Sequence, residues 1–219
     1  MSHVLVVTSS HPELGGEPNG TYMPELTHAL HVLDEHKISY DIVSPKGGRL
    51  PSYGDDADEL TKTMLADSAF AAKLITTELA DVDPSKYDAV YYPGGYGLLF
   101  DLVDDADSHR VAKSFFARNA PVAAVCHGPA ALSRIALDDG TFMIKDRDVT
   151  GFTRSEEVAM KTLESIPFLL EDAMTDAGGV YRKMAAWAVH VVEDGPLITG
   201  QNPPSAAAVG QALAVRLTS

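Results

Sequence analysis

An apolar run, Pro121-Val122-Ala123-Ala124-Val125, breaks at once into Cys126-His127-Gly128-Pro129 and then into a stretch with helical character, Ala130-Ala131-Leu132-Ser133-Arg134-Ile135-Ala136. Few folds accommodate that succession. A strand apolar at every position is buried on both faces, as in parallel sheets covered by helices. Where such a strand turns sharply into a helix, one side chain stands above the sheet edge at the positive end of the helix dipole. Cys126 takes that place, and a thiolate there is favoured over a thiol. It is the single cysteine of the chain. Pro129 suits the first turn of a helix running from Pro129 to Ala136, because the N–H it lacks has no partner there.

The rest of the chain repeats the pattern. Val4–Thr8, Ser39–Val43, Ala89–Tyr92, Val122–Val125 and Val189–Val192 read as strands, with a shorter candidate at Val149–Gly151. Between the first two, Pro24 to His36 is apolar at Leu26, Ala29, Leu30 and Leu33, the spacing of a crossover helix. Further helices are expected near Thr61 to Thr77, from Glu156 to Leu170 with a break at Pro167, and from Ser205, as N-cap, to Leu217. Alternating strands and helices predict an α/β fold: a flavodoxin-like sandwich whose mainly parallel sheet is flanked by helices, with a nucleophile elbow at Cys126. We expect one domain over residues 1–219. The segment from His11 to Gly20 holds three glycines and two prolines, too many for regular structure, and follows the first strand, at the sheet edge where ligands bind.

A net charge of −14 disfavours phosphate backbones and anionic lipid surfaces, so nucleic acid and membrane are not expected partners. No apolar segment approaches the length of a membrane span, Val4–Val7 is too short for a signal peptide's apolar region, and one cysteine forms no internal disulfide. A cytoplasmic protein is expected.

Four elements can converge above the strand ends. Cys126 is the nucleophile, and His127, its neighbour across a sharp turn, is a base or a stabilising cation. Tyr91-Tyr92-Pro93-Gly94-Gly95-Tyr96-Gly97 follows an apolar strand, and its glycines let the backbone approach a ligand and aim N–H groups at an oxyanion. Glu25 opens the first crossover helix. A carboxyl held beside a thiolate or in an apolar pocket has a raised pKa and serves as a donor to sulfur or as a general acid/base, although a glutamate in a first turn also complements the dipole. Glu156 and Glu157 follow another strand end, and either one can orient His127 as third member of a triad. The remaining histidines show no metal-ligand signature; His28 and His31 are three apart on a helix and His28 shares a face with Glu25, but no histidine-rich or carboxylate-rich loop accompanies them, and no metal or other cofactor is expected.

These residues resemble the ThiJ/PfpI superfamily of glutamine-amidotransferase-like proteins, and within it the glyoxalase III and heat-shock chaperone subgroup. The likeness runs from Glu25 and Ser44-Pro45 to Gly200-Gln201-Asn202-Pro203, and Ala123 to Ala130 carries it most specifically, with Pro93 to Leu102 and Thr150 to Thr153 beside it. By position, the resemblance implies Cys126 as nucleophile, His127 beside it, Glu25 as the proton-handling carboxylate and Glu157 as the acid behind the histidine. It places Gly94, Gly95, Tyr96 and Gly128 around substrate or oxyanion. It implies conversion of methylglyoxal to lactate without glutathione, a lyase activity of the D-lactate dehydratase type that detoxifies a reactive carbonyl, in a homodimer. The chain departs from the subgroup at Tyr96, where histidine is common. A phenol that titrates near ~10 takes no part in proton exchange at neutral pH.

Three other readings compete with this one. A Cys-His-Glu triad is also that of an amidase or peptidase, but no His-Pro-Glu-like segment lies near the C-terminus, where glutamine amidotransferases carry their histidine and glutamate. A holding chaperone would expose an apolar patch and survive loss of Cys126. A redox or stress sensor would oxidise Cys126 to a sulfinate.

Overall fold

A computed structural model of the chain describes residues 2–218. Eight strands build the central sheet: β1 (His3–Val7), β2 (Ser39–Ser44), β3 (Gly48–Arg49), β4 (Ile75–Glu78), β5 (Ala89–Tyr92), β6 (Val122–Val125), β7 (Val191–Asp194) and β8 (Leu197–Gly200). Their order is β7-β8-β6-β5-β1-β2-β4-β3. The strands from β8 to β4 run parallel, and only the two edge strands, β7 and β3, are antiparallel. Successive side chains of a strand point to opposite faces, so the apolar runs feed two cores. Leu5, Val7, Val122 and Ala124 enter one, and Val4, Val6, Ala123 and Val125 the other.

Helices α1 (Met23–Glu35), α2 (Glu59–Ala66), α3 (Ser68–Lys73), α4 (Ala106–Ala117), α5 (Ala130–Ser133), α6 (Arg154–Met160), α7 (Leu170–Asp176) and α8 (Ala206–Thr218) complete the sandwich. On one face α4 contributes Val111, Ala112 and Phe115, and α7 contributes Leu170 and Met174. The other face is covered by Leu26, Leu30 and Leu33 of α1 and Val209 and Leu213 of α8. The two helices touch at Gly210, where an added Cβ would stand 2.8 Å from the Ala29 carbonyl oxygen. Alanine normally stabilises a helix over glycine by up to ~1 kcal/mol. Overpacking of this kind costs about 1–3 kcal/mol, so Gly210→Ala should lower stability in a urea titration.

Several expected elements differ. The stretch from Thr61 to Thr77 divides at Asp67, whose side chain accepts from the Ala69 N–H at 2.8 Å and so caps α3. The β-branched Ile75-Thr76-Thr77 that follows is sheet. The helix expected over Glu156 to Leu170 ends at Met160, because Lys161 is left-handed with φ +60°. Val149–Gly151 adds no strand to the central sheet; Asp148–Val149 pairs instead with Val180–Tyr181. The segment from His11 to Gly20 is not irregular throughout: Glu13–Leu14 and Glu17–Pro18 pair across Gly15 and Gly16, both at positive φ. The helix expected from Pro129 to Ala136 is α5, four residues of Ala130–Ser133, entered through bonds of the i to i−3 type such as Leu132 N–H to the Pro129 carbonyl at 3.0 Å. So short a helix has little dipole to offer Cys126.

Candidate active site

The turn from β6 into α5 is left-handed at Cys126, with φ +58°. A non-glycine residue held there stores backbone strain and needs the surrounding structure to keep it in place. The Cys126 N–H donates to the Gly200 carbonyl of β8 and its own carbonyl accepts from the Phe152 N–H, both at 2.9 Å. Gly128 completes the turn: its N–H donates to the Val125 carbonyl at 2.7 Å, and an added Cβ would lie 2.3 Å from the Tyr92 carbonyl oxygen. The expected part of Gly128 in binding an oxyanion is therefore corrected to one of turn and space, because its amide is already bonded.

Glu25 sits in the first turn of α1 and has no solvent exposure. Its carboxyl lies against Cys126 and the Gly94 N–H, yet neither oxygen makes a hydrogen bond of normal geometry. Burial raises its pKa to about 8, against the pull of Cys126 and the Gly94 amide. Gly94 allows this approach, since an added Cβ would fall 2.1 Å from Glu25 Oε2 and 2.7 Å from the Cys126 Cβ. Dipole complementation alone does not explain a carboxyl buried completely against a thiol.

Burial, then the neighbouring Glu25 charge, push the Cys126 thiol up, and only the His127 backbone N–H pulls the other way. The expectation that the helix start favours a thiolate over a thiol is corrected for this reason. Desolvation outweighs a four-residue helix, and a charge on Glu25 opposes one on sulfur, so ionisation of the thiol is easiest while the carboxyl keeps its proton.

His127 Nδ1 lies 3.3 Å from Cys126 Sγ, and His127 Nε2 lies 2.7 Å from Glu157 Oε1. All three side chains are buried. A carboxylate at Nε2 fixes the proton there and leaves Nδ1 to accept from the thiol. Glu157 Oε2 accepts from the hydroxyls of Thr162 and, at 3.4 Å, Tyr96. The choice left open between the two adjacent glutamates is resolved by geometry, for Glu156 is committed elsewhere. Its carboxylate accepts from the Thr153 N–H at 3.0 Å, the Trp187 N–H at 2.9 Å, Gln201 Nε2 at 3.1 Å and Asn202 Nδ2 at 2.8 Å. Burial works to raise Glu156, but these donors hold it below the usual carboxylate range.

Tyr96 lies under the imidazole, with ring centroids 4.4 Å apart, and its hydroxyl also donates to Thr162 Oγ1 at 3.2 Å. Burial raises its pKa further, so it remains a neutral donor. Gly95, at φ +113°, approaches the backbone of Gly20 to Tyr22 so closely that an added Cβ would stand 2.2 Å from the Gly20 oxygen. Among the described residues its N–H makes no hydrogen bond, whereas the Gly94 N–H faces Glu25.

Above the thiol a cavity of about 160 Å³ is lined, beyond Cys126, His127 and Tyr96, by Tyr22, Tyr53, Phe152, Met160, Trp187 and Pro203. No lysine or arginine is among them. Among the described residues no three His, Cys, Asp or Glu side chains converge on a metal position, and His28, which shares a helix with Glu25, bonds Asp58 at 2.9 Å. A larger, open depression of about 470 Å³ near Arg134 and Phe168 shares no lining residue with this site.

The sequence profile of the DJ-1/PfpI family matches residues 18–215. The chain belongs to the DJ-1/PfpI family. It is 30% identical over 177 residues to the glutamine amidotransferase-like class 1 domain-containing protein 1 of Bos taurus, covering 80% of each chain. It is 28% identical over 229 aligned positions to a glutathione-independent glyoxalase of Saccharomyces cerevisiae, covering 93% of this chain and 92% of that one. The X-ray structure of the Rapid Encystment Protein 24 KDa of Francisella tularensis superposes with a TM-score of 0.96 at 34% identity, covering both chains fully.

Within this DJ-1/PfpI fold, Tyr22, Tyr53 and Trp187 belong to the site although nothing in their local sequence announced them. Tyr53 arrives on the insertion after β2, where Ser52–Tyr53 pairs with Thr21–Tyr22 and brings the two tyrosine rings 4.9 Å apart.

Proposed function

We propose that the chain is a cofactor-free, glutathione-independent glyoxalase that converts a small α-oxoaldehyde to its 2-hydroxy acid through Cys126, Glu25, His127 and Glu157. The observation that carries the reading is Glu25: a fully buried carboxyl, titrating at about 8, placed against the sulfur of an elbow cysteine. A group that gains and loses its proton near neutral pH is what a proton transfer between two adjacent carbons requires.

The thiol proton passes to His127 Nδ1, and sulfur bonds to the aldehyde carbon. The carbonyl electron pair moves to its oxygen, beside the Gly95 N–H, and that oxygen takes the Glu25 proton. The Glu25 carboxylate then removes hydrogen from the same carbon, the electrons pass to the neighbouring ketone, and its oxygen takes the proton held by His127. Glu25 returns its proton to the second carbon while the first oxygen loses its own to His127. The first carbon is thereby oxidised to a thioester and the second reduced to an alcohol, with no external oxidant. Water adds to the thioester and gives a proton to Glu25, and sulfur leaves with the proton from His127.

A hydrolytic reading draws on the Cys126-His127-Glu157 order at 3.3 and 2.7 Å. It fits less well, because the charged ends of glutamine or a peptide would meet no lysine, arginine or aspartate in the lining. The test is a methylglyoxal assay without glutathione, with product identified as lactate, run beside a chromogenic amide. Conversion of the aldehyde supports the glyoxalase, whereas amide cleavage without it supports the hydrolase. In the same assay Tyr96→His should stay active and add a limb to the pH profile near the ordinary histidine range, about 6.5.

A further inference from the structure

Methylglyoxal leaves most of this cavity unexplained. Its substituent is one methyl group, yet the space above the thiol measures about 160 Å³, and an apolar cavity of roughly 150 Å³ takes up a benzene ring. The lining beyond the reacting groups is largely aromatic. Phe152, itself buried, stands 4.7 Å from the His127 ring, and Trp187 meets Phe152 edge-on at 5.8 Å with 66° between the planes.

Trp187 is built into this position. It is left-handed with φ +66°, a strained setting for a bulky residue, and it stays 41% exposed rather than joining a core. Its backbone N–H donates at 2.9 Å to Glu156, the carboxylate that also gathers Thr153, Gln201 and Asn202. A buried, fully bonded carboxylate thus ties down the backbone that carries an exposed indole at the cavity mouth. Helix α6 carries both devices: Glu157 orders the imidazole and Glu156 orders the wall.

We infer that the preferred substrate is an α-oxoaldehyde with an aromatic substituent, its ring seated against Trp187 and Phe152 and its dicarbonyl over Cys126 and Glu25. The inference rests on the glyoxalase reading of the same site. The uncharged lining suits a neutral aryl group, and edge-to-face neighbours leave ring faces for it to stack on. Trp187 acts here as a specificity residue; it touches no reacting atom.

Two measurements on the purified chain test this. In the glutathione-free assay, kcat/KM for phenylglyoxal should exceed that for methylglyoxal about tenfold, and Trp187→Ala should lower this ratio by about the same factor, with Trp187→Phe restoring most of it. In a calorimetric titration the unreactive ketone 2-hydroxyacetophenone should bind about tenfold more tightly than hydroxyacetone, with the difference lost in Trp187→Ala. Equal affinities for the two ketones, or a preference unchanged by Trp187→Ala, overturn the inference. The two readings fail separately. Methylglyoxal turnover without ring preference sinks the aromatic site and leaves the glyoxalase standing. Ring preference in calorimetry without turnover of either aldehyde sinks the glyoxalase and leaves the aromatic site.

Discussion

Replacing Cys126 by alanine should abolish glutathione-free consumption of methylglyoxal, with a fall of at least about 10³-fold in kcat/KM. The expected loss is large because the chain has no second thiol to take over. The protein itself should stay folded. The Cys126 backbone is held by Gly200 and Phe152, bonds that alanine keeps, and alanine meets the left-handed turn with the same Cβ. A melting temperature within a few degrees of wild type, together with lost turnover, assigns the loss to chemistry. Turnover at the wild-type rate would exclude covalent catalysis by this thiol, and with it the proposed reaction. Cys126→Ser refines the comparison, because it returns a hydroxyl to the same place without a readily ionised nucleophile.

Glu25→Gln should remove activity and add stability, and the second effect should depend on pH. Glutamine has the shape of the carboxyl but exchanges no proton, so a loss of about 10²–10⁴-fold is expected. In the unfolded chain Glu25 titrates at the ordinary value of 4.5, and in the fold at about 8. Between these limits the folded state holds a proton that the unfolded state has released, so rising pH draws the equilibrium toward unfolding. The burden is absent below pH 4.5 and complete above about 8. Glu25→Gln escapes it. Near pH 5 the two proteins should melt alike, and near pH 8–9 the variant should be more stable by a few kcal/mol, about 5–10 °C in a chain of this size. Equal melting at pH 9 would show that the carboxyl is not buried as a neutral group. By the same titration, wild-type kcat/KM should fall as pH rises through about 8, because the proposed reaction opens with the proton on Glu25.

The order in which features became legible has physical reasons. Strands buried on both faces, such as Val122–Val125, announce themselves because every position is apolar. Cys126 stands out because the turn follows such a strand without a polar spacer. Glu156 and Glu157 could not be told apart in the sequence. They are neighbours in one first turn, and which points at His127 depends on how α6 docks. The direction of the Cys126 shift was misjudged for a related reason. A helix was expected to Ala136, but α5 is four residues long, and the burial of Glu25 beside sulfur belongs to the packing of α1 on the sheet. Trp187 was invisible as a site residue because its place depends on a hydrogen bond to Glu156, a distant part of the chain.

The left-handed turn at Cys126 also bears on when the thiol acquires its character. One end of the turn is tied to Gly200 and the other to Phe152, while the carboxyl against the sulfur comes from the start of α1. Until β8 and the loop at Phe152 have both docked on the end of β6, the strained dihedral lacks its two backbone ties, and the chain carries an ordinary, flexible cysteine. Reactivity is therefore a late property of assembly. Damage that frees β8 or the loop at Phe152 would return the residue to its unremarkable unfolded chemistry, even with every side chain of the site still present.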